Sequence, residues 1–172
     1  HVESDSNILD FGCGTGVFSY DLSKNGYNLT SLDLDLSPLK LLQSQIKYPE
    51  SINFIQDDFL TMNFENQKFD VIVALDVLEH IPLAVLPIYL EKFDSILNPN
   101  GYFIVSGPTE NKLYKLGRKI AGNDFTGHYH ETNISEIKTV FKNTFQVNTI
   151  CKLIWPFILF EIRFSSKTIT GR

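Results

Sequence analysis

Acids and glycines in the first sixty residues have the spacing of a ligand site. In ILDFGCGTG, Ile8 to Gly16, an apolar run ends in Asp10 and then in Gly12, Gly14 and Gly16, with the small Cys13 in the turn. That is the pattern of a buried strand running into a tight turn and then a helix, where glycines let a ligand approach the backbone. The dinucleotide fingerprint GxGxxG needs its third glycine where this chain has Val17, so the turn does not match a pyrophosphate cradle. The next loop, SLDLDLSPL, offers Asp33 and Asp35. An acid ending the second strand can accept hydrogen bonds from both hydroxyls of a ribose. Asp33 stands where that strand should stop, with Leu34 beside it, and is preferred; Asp35 falls in the following turn. In FIQDDFL, Asp58 is the preferred acid for an adenine amino group and Asp57 the alternative, with the backbone at Phe59 meeting the ring. Phe59 reads equally well as core.

These loops require a scaffold of alternating strands and helices. Strand-like runs fall at 7–11, 28–34, 52–56, 69–75 and 102–106, and helical patterns lie between them, the signature of a parallel α/β sheet. The first helix runs from about Thr15 to the Asn25-Gly26 stop. The second opens with Ser37 as cap and Pro38 in the first turn. Leu86, Leu90, Phe93 and Leu97 share one helical face that ends at Asn98-Pro99-Asn100-Gly101. A helix is expected over 109–121, followed by the polar loop GNDFTGHYHET and a helix with Asn133 and Glu136 as its capping box. VNTIC and FILFEIRF then follow with no helix between them, which predicts a terminal antiparallel hairpin.

Taken together, ILDFGCGTG, the acid Asp33 seventeen residues after Gly16, QDDF, FDVIVALDVLEHI and LNPNGYFIVSGP resemble the class I S-adenosylmethionine-dependent methyltransferases. The resemblance extends from Asn7 to about Phe164. It is nearest to the small-molecule branch that includes ubiquinone-biosynthesis O-methyltransferases, to which LEHI and GHYHET are similar. It implies a Rossmann-like, doubly wound, three-layer α/β/α fold with seven strands in the order 3-2-1-4-5-7-6, strand seven antiparallel. It also implies S-adenosyl-L-methionine as cofactor. Asp10, Gly12, Gly14 and Gly16 would then serve the methionine part, Asp33 the ribose and Asp58 the adenine, with Leu75 as a turn residue. One departure is that the helices which close over the cofactor ahead of strand one in that family have no counterpart here, so residues 1–172 are expected to form a single domain lacking that cap.

Methyl transfer from a sulfonium needs chiefly proximity and orientation. A hydroxyl acceptor would also need a base. His80 falls just after strand four on the ligand side, or serves to cap the next helix. His128 and His130 alternate in GHYHET, so an extended segment would turn both the same way, as a base or an acceptor contact. Glu79 reads as a contact for the cofactor's amino group or as a helix-start acid. His128 and His130 with Glu131 could suggest a metal, but no further ligand joins them at convincing spacing, and no metal is assigned.

Bulk properties bound the partners. The 172 residues carry a net charge of −5, with 15 Lys and Arg against 20 Asp and Glu, which gives no electrostatic reason to expect nucleic acid. ALDVLEH also lacks the Pro-Pro-aromatic signature of DNA amino-methylating enzymes. Cys13 and Cys151 form no disulfide framework, which suits a reducing, cytoplasmic setting. The longest apolar run, Leu153 to Phe160, is too short for a bilayer and contains a proline. The expected acceptor is a small molecule, which an apolar, aromatic tail could help to line, although core packing is the favoured reading of that tail. Two rivals stand beside this reading: a nicotinamide-dependent oxidoreductase, and a non-catalytic module of the same fold. The chain lacks an initiator Met and starts just before its first strand, and is expected to be part of something longer.

Overall fold

The computed structural model describes residues 3–107, 132, 134–154 and 159–166. Five strands form a parallel sheet: β1 (Asn7–Phe11), β2 (Asn28–Asp33), β3 (Ile52–Gln56), β4 (Phe69–Leu75) and β5 (Leu97–Ser106), in the order β3-β2-β1-β4-β5. The helices are α1 (Val17–Ser23), α2 (Ser37–Gln43), α3 (Leu86–Ile96) and α4 (Ile134–Phe141), and a 3-10 turn spans Leu78–His80. Two further strands, β6 (Gln146–Ile154) and β7 (Leu159–Ser166), follow α4. The chain winds outward from β1 in one direction through β2 and β3, then returns to β4 on the other side of β1. The carboxyl ends of β1 and β4 therefore part at a switch point, the crevice where open α/β sheets hold their ligands.

Strand alternation sorts the core into two unequal faces. Leu9, Phe11 and Leu32 point to the side covered by α3 and α4, where Leu86, Leu90, Phe93, Ile137 and Phe141 bury themselves. Aromatic rings fill this layer: Phe11 meets Phe59 at 5.0 Å and Phe93 at 5.1 Å, and Phe103 meets Phe141 at 5.1 Å. The opposite face is thinner, with Ile8, Leu29, Ile52, Val71 and Val73 packed beneath Leu22, Tyr48 and Phe54. On that face Asp10 of β1 lies in register with Ser31 of β2.

Local details differ from the sequence expectation where side chains compete with pattern. The cap of α2 is Leu36, not Ser37, because the Asp35 carboxylate accepts the Ser37 amide at 2.8 Å and draws Ser37 into the helix. Asp35 is thus more than a solvated turn residue. Strand β5 begins at Leu97, five residues before the expected start. Leu97 pairs with Phe69, and the register shifts between Phe69 and Val71, so the Asn-Pro-Asn-Gly run that reads as a helix stop is carried as an irregular strand opening. Asn100 takes the left-handed conformation there, at φ 65°. The helix expected at 109–121, the loop carrying His128 and His130, the capping residue Asn133 and the link around Trp155-Pro156 lie outside the described residues.

Candidate ligand site at the carboxyl edge

The glycine turn is tied to β2 by its own amides. Gly12 and Cys13 both donate to the Leu32 carbonyl, at 2.8 and 3.2 Å, and Gly16 donates to the Cys13 carbonyl at 2.8 Å. The Gly14 amide donates to Asp33 Oδ2 at 2.7 Å. A phosphate at such a turn is held by free N–H groups. Here the amides of Gly12, Cys13, Gly14 and Gly16 are spent inside the protein, and the side chain they meet is an acid. Gly12 has φ +75°, and a Cβ there would lie 2.5 Å from Val77 Cγ2, so no other residue fits without displacing β4's exit loop. Gly14, at φ +52°, faces open space on its Cβ side, which leaves the turn approachable from the crevice.

Asp33 organises the neighbouring loops. Its Oδ1 accepts the Asp35 amide at 3.1 Å, and its backbone carbonyl accepts the Asp57 amide at 3.1 Å. A carboxylate offers about four lone-pair sites. The two backbone donors therefore fix its orientation and leave acceptor capacity over. A pocket opens beside it, lined by Gly12, Leu34, Asp57 and Asp58 at the rim and by Phe11, Leu32, Phe59, Val77 and Tyr89 below. Phe59 stacks on Tyr89 at 5.7 Å with planes 13° apart, and on Phe93 at 4.3 Å. It is fully buried, hence both core and pocket floor. Lys92 pins the loop after β3 by donating to the carbonyls of Leu60 and Met62, at 2.8 and 2.6 Å. Asp57 Oδ1 accepts the Asp58 amide and Asp58 Oδ1 accepts the Leu60 amide, so each acid keeps a second oxygen for a ligand. An apolar, aromatic floor with an acidic rim suits a flat heterocycle carrying amino and hydroxyl donors and repels a phosphate.

Under the turn lies a polar group of unusual burial. Asp10 is 3% exposed, and Ser19 of α1 donates to its Oδ2 at 2.5 Å. Ser31 Oγ stands 2.6 Å from Ser19 Oγ. Burial pushes the Asp10 carboxyl up to about 6, the Ser19 hydrogen bond opposing the rise and the charge on Asp33 adding to it. Burial and the same two acids push the Cys13 thiol up to about 12, which keeps it protonated and no nucleophile.

The end of β4 carries the second set of predicted residues. Leu75 is followed by Asp76 at φ 51°, held there by Ser106, whose hydroxyl donates to Asp76 Oδ1 at 3.0 Å and accepts the Asp76 amide at 3.1 Å. Glu79 is 2% exposed, and its Oε2 has no hydrogen-bond partner among the described residues. Burial pushes this carboxyl up to about 7, a donor from its own backbone opposing the shift and the charge on Asp76 adding to it. The Glu79 carbonyl accepts the Thr132 amide at 3.2 Å. His80 is exposed at the close of the 3-10 turn and is not part of the pocket lining. Among the described residues no group of three or more His, Cys, Asp or Glu could hold a metal ion, and no helix is long and apolar enough to cross a membrane.

The pocket thus gathers Gly12, Asp33, Leu34, Asp57, Asp58 and Phe59. Cys13, Gly14 and Gly16 stand in the adjoining turn and Asp10 below it; Leu75 and His80 lie across the switch point. Sequence reasoning missed Val77 and Tyr89, which reach the pocket from the β4 exit and from α3, and it missed Ser19 and Ser31. The only signal for the serines was their polarity at positions of α1 and β2 that face the sheet interior.

A family model described as "Methyltransferase domain" matches residues 2–144. The ubiquinone biosynthesis O-methyltransferase of Histophilus somni is 30% identical over 120 residues, which cover 65% of this chain and 48% of that protein. The EEF1A lysine methyltransferase 2 of Danio rerio is 28% identical over 115 residues, covering 62% and 49%. The chain spans about half the length of the curated relatives it matches. Among solved structures, a SAM-dependent methyltransferase from Methanosarcina mazei superposes with a TM-score of 0.76 at 20% identity, over 97% of this chain and 94% of that one. The magnesium protoporphyrin IX methyltransferase from Synechocystis, solved with bound SAH, superposes with a TM-score of 0.73 at 20% identity, over 95% and 75%. These likenesses bear on the fold.

Proposed function

The chain belongs to the methyltransferase-domain family, and on that footing we propose that it transfers a methyl group from S-adenosyl-L-methionine to a small-molecule acceptor. The observation that carries the reading is the Asp33 carboxylate, fixed at the end of β2 by the Gly14 and Asp35 amides above a stacked aromatic floor. In this reading Asp33 accepts from the ribose hydroxyls. Asp58, or Asp57 beside it, accepts from the adenine amino group, the base lying against Leu34 and the Phe59 backbone. The turn from Gly12 through Cys13 and Gly14 to Gly16 receives the methionine part, with Asp10 beneath it and Leu75 opposite. The cofactor supplies an electrophilic methyl on a sulfonium. The protein's part is to hold that methyl and the acceptor in line and to keep water out.

A hydroxyl is the acceptor group we favour, in keeping with the ubiquinone relatives, and an apolar or aromatic body suits the side of the sheet where the rings gather. His80, His128 and His130 are the proposed bases. The reading includes the full sheet order 3-2-1-4-5-7-6 with strand seven antiparallel. It is supported by pairing of β7 against β5, Tyr102 opposite Ser166 and Val105 opposite Arg163, and of β7 with β6.

Calorimetric titration with S-adenosylhomocysteine and, separately, NADH tests the proposal. Micromolar binding of the first and none of the second is expected. Binding of NADH alone would overturn it.

A further inference from the structure

We propose that Ser31 and Ser19 form a directed chain of hydroxyl donors to Asp10 that keeps a carboxylate charged beneath the glycine turn and so sets the affinity for the ammonium group at the amino-acid end of the cofactor. The proposal rests on the cofactor reading above. The direction follows from counting protons. An ionised Asp10 can only accept, so the single hydroxyl hydrogen of Ser19 points to Asp10 Oδ2, 2.5 Å away. Ser19 then has none left for Ser31, and the 2.6 Å contact between the two hydroxyls must be donated by Ser31. Both hydrogens run toward the carboxylate.

The chain links β2, α1 and β1, the three elements that frame the turn. Asp10 and Ser31 are register partners on adjacent strands, and Ser19 lies above them from α1. Ser19 and Ser31 are both 0% exposed, so water does not substitute for either. Charge-assisted donors of this kind are about twice as strong as neutral ones. Without them, desolvation would favour the protonated acid. The titratable groups facing Asp10 are Asp33 from the end of β2 and Cys13 from the turn, and both oppose its charge or add none. From β4 the register partner is the apolar Val73. Ser19 is therefore the group that favours the ionised form, and it acts as a positioning residue.

The test compares S-adenosylhomocysteine, which carries an ammonium group, with 5′-methylthioadenosine, which lacks the amino-acid end. Each is titrated between pH 5.5 and 8. The wild-type affinity for S-adenosylhomocysteine should rise as pH passes about 6, and Ser19→Ala should move that rise upward by about one unit, a loss of about tenfold on its lower side. Affinity for 5′-methylthioadenosine should stay unmoved in both. Ser31→Ala, which removes only the outer donor, should give a smaller shift in the same direction, and it serves if Ser19→Ala fails to fold. An unchanged midpoint in the folded variants, or equal losses for the two ligands, overturns the proposal while leaving the cofactor reading intact. If the wild-type chain binds neither ligand, the cofactor reading fails and the proposal with it.

Discussion

Asp10 and Glu79 are acids buried below the same edge of the sheet, one in each half, and the protein treats them differently. Asp10, 3% exposed, is met by a serine hydroxyl backed by a second. Glu79, 2% exposed, leaves Oε2 without a hydrogen-bond partner among the described residues. The Asp10 carboxyl rises from 3.8 to about 6 and the Glu79 carboxyl from 4.5 to about 7, two rises of similar size. Burial is the leading cause in both, opposed at Asp10 by the Ser19 hydroxyl and at Glu79 by a backbone donor, so the contrast lies in where the opposing hydrogen bond comes from. The glycine-turn half meets its buried acid with side-chain hydroxyls from two neighbouring elements, and the β4–β5 half meets its own with a backbone donor and packing.

The strongest way to sharpen that contrast is a methyl group at one glycine in each half. Gly12→Ala puts a Cβ against Val77 at a left-handed φ and should cost about 3 kcal/mol or more of unfolding free energy. Gly107→Ala meets Ile134 Cδ1 at 3.3 Å and Glu79 Oε2 at 3.8 Å, where a side-chain terminus can yield, and should cost about 1 kcal/mol or less. Equal losses in denaturant titrations would break the contrast.

Next in size is removal of the acids themselves. Asp10→Ala leaves the buried Ser19 hydroxyl without its acceptor and should lose about 2–3 kcal/mol. Glu79→Gln should do the opposite above neutral pH. A carboxyl raised from 4.5 to about 7 on folding keeps a proton the unfolded chain has lost, so its contribution is present below the unfolded pKa and is lost as pH rises through 7. Glutamine does not titrate. The wild type should therefore lose on the order of 2 kcal/mol more than Glu79→Gln between pH 5 and 8. Asp10 titrates in the same sense but is largely spent above pH 7, which separates the two. Parallel pH–stability curves would show that Glu79 is ionised in the fold.

A smaller effect than removal of either acid is expected at Lys92, which serves the pocket at one remove. Lys92→Met frees the Leu60 and Met62 carbonyls and should lower stability by about 1–2 kcal/mol and weaken S-adenosylhomocysteine binding a few-fold, read by melting and calorimetry. Unchanged binding would mean that the loop after β3 holds its shape without that pin.

How much of this could be read beforehand follows the same division. The glycine-turn half announces itself because glycines and strand-end acids are constrained locally: Gly12, Asp33 and the two acids after β3 stand where the pattern puts them. Tyr89 and Val77 reach the pocket from elements whose sequence reads as ordinary helix and turn, and only packing reveals them. The Asp10–Ser31 pair becomes visible only once β1 and β2 are in register. Glu79 reads as a contact for the cofactor's amino group or as a helix-start acid, and its neighbours Gly107 and Thr132 are far away in sequence. Ser37 reads as a cap until the nearer Asp35 carboxylate takes its amide.

The central claim is that Asp33 reads a ribose at the end of β2. A thermodynamic cycle tests it most directly, with S-adenosylhomocysteine and its 2′-deoxy analogue titrated into the wild-type chain and into Asp33→Ala. Asp33→Ala should weaken S-adenosylhomocysteine binding about tenfold, or 1.4 kcal/mol, and deleting the hydroxyl should cost the wild type far more than the variant. An equal penalty for the missing hydroxyl in both proteins would mean that Asp33 does not touch the sugar, and would contradict the account.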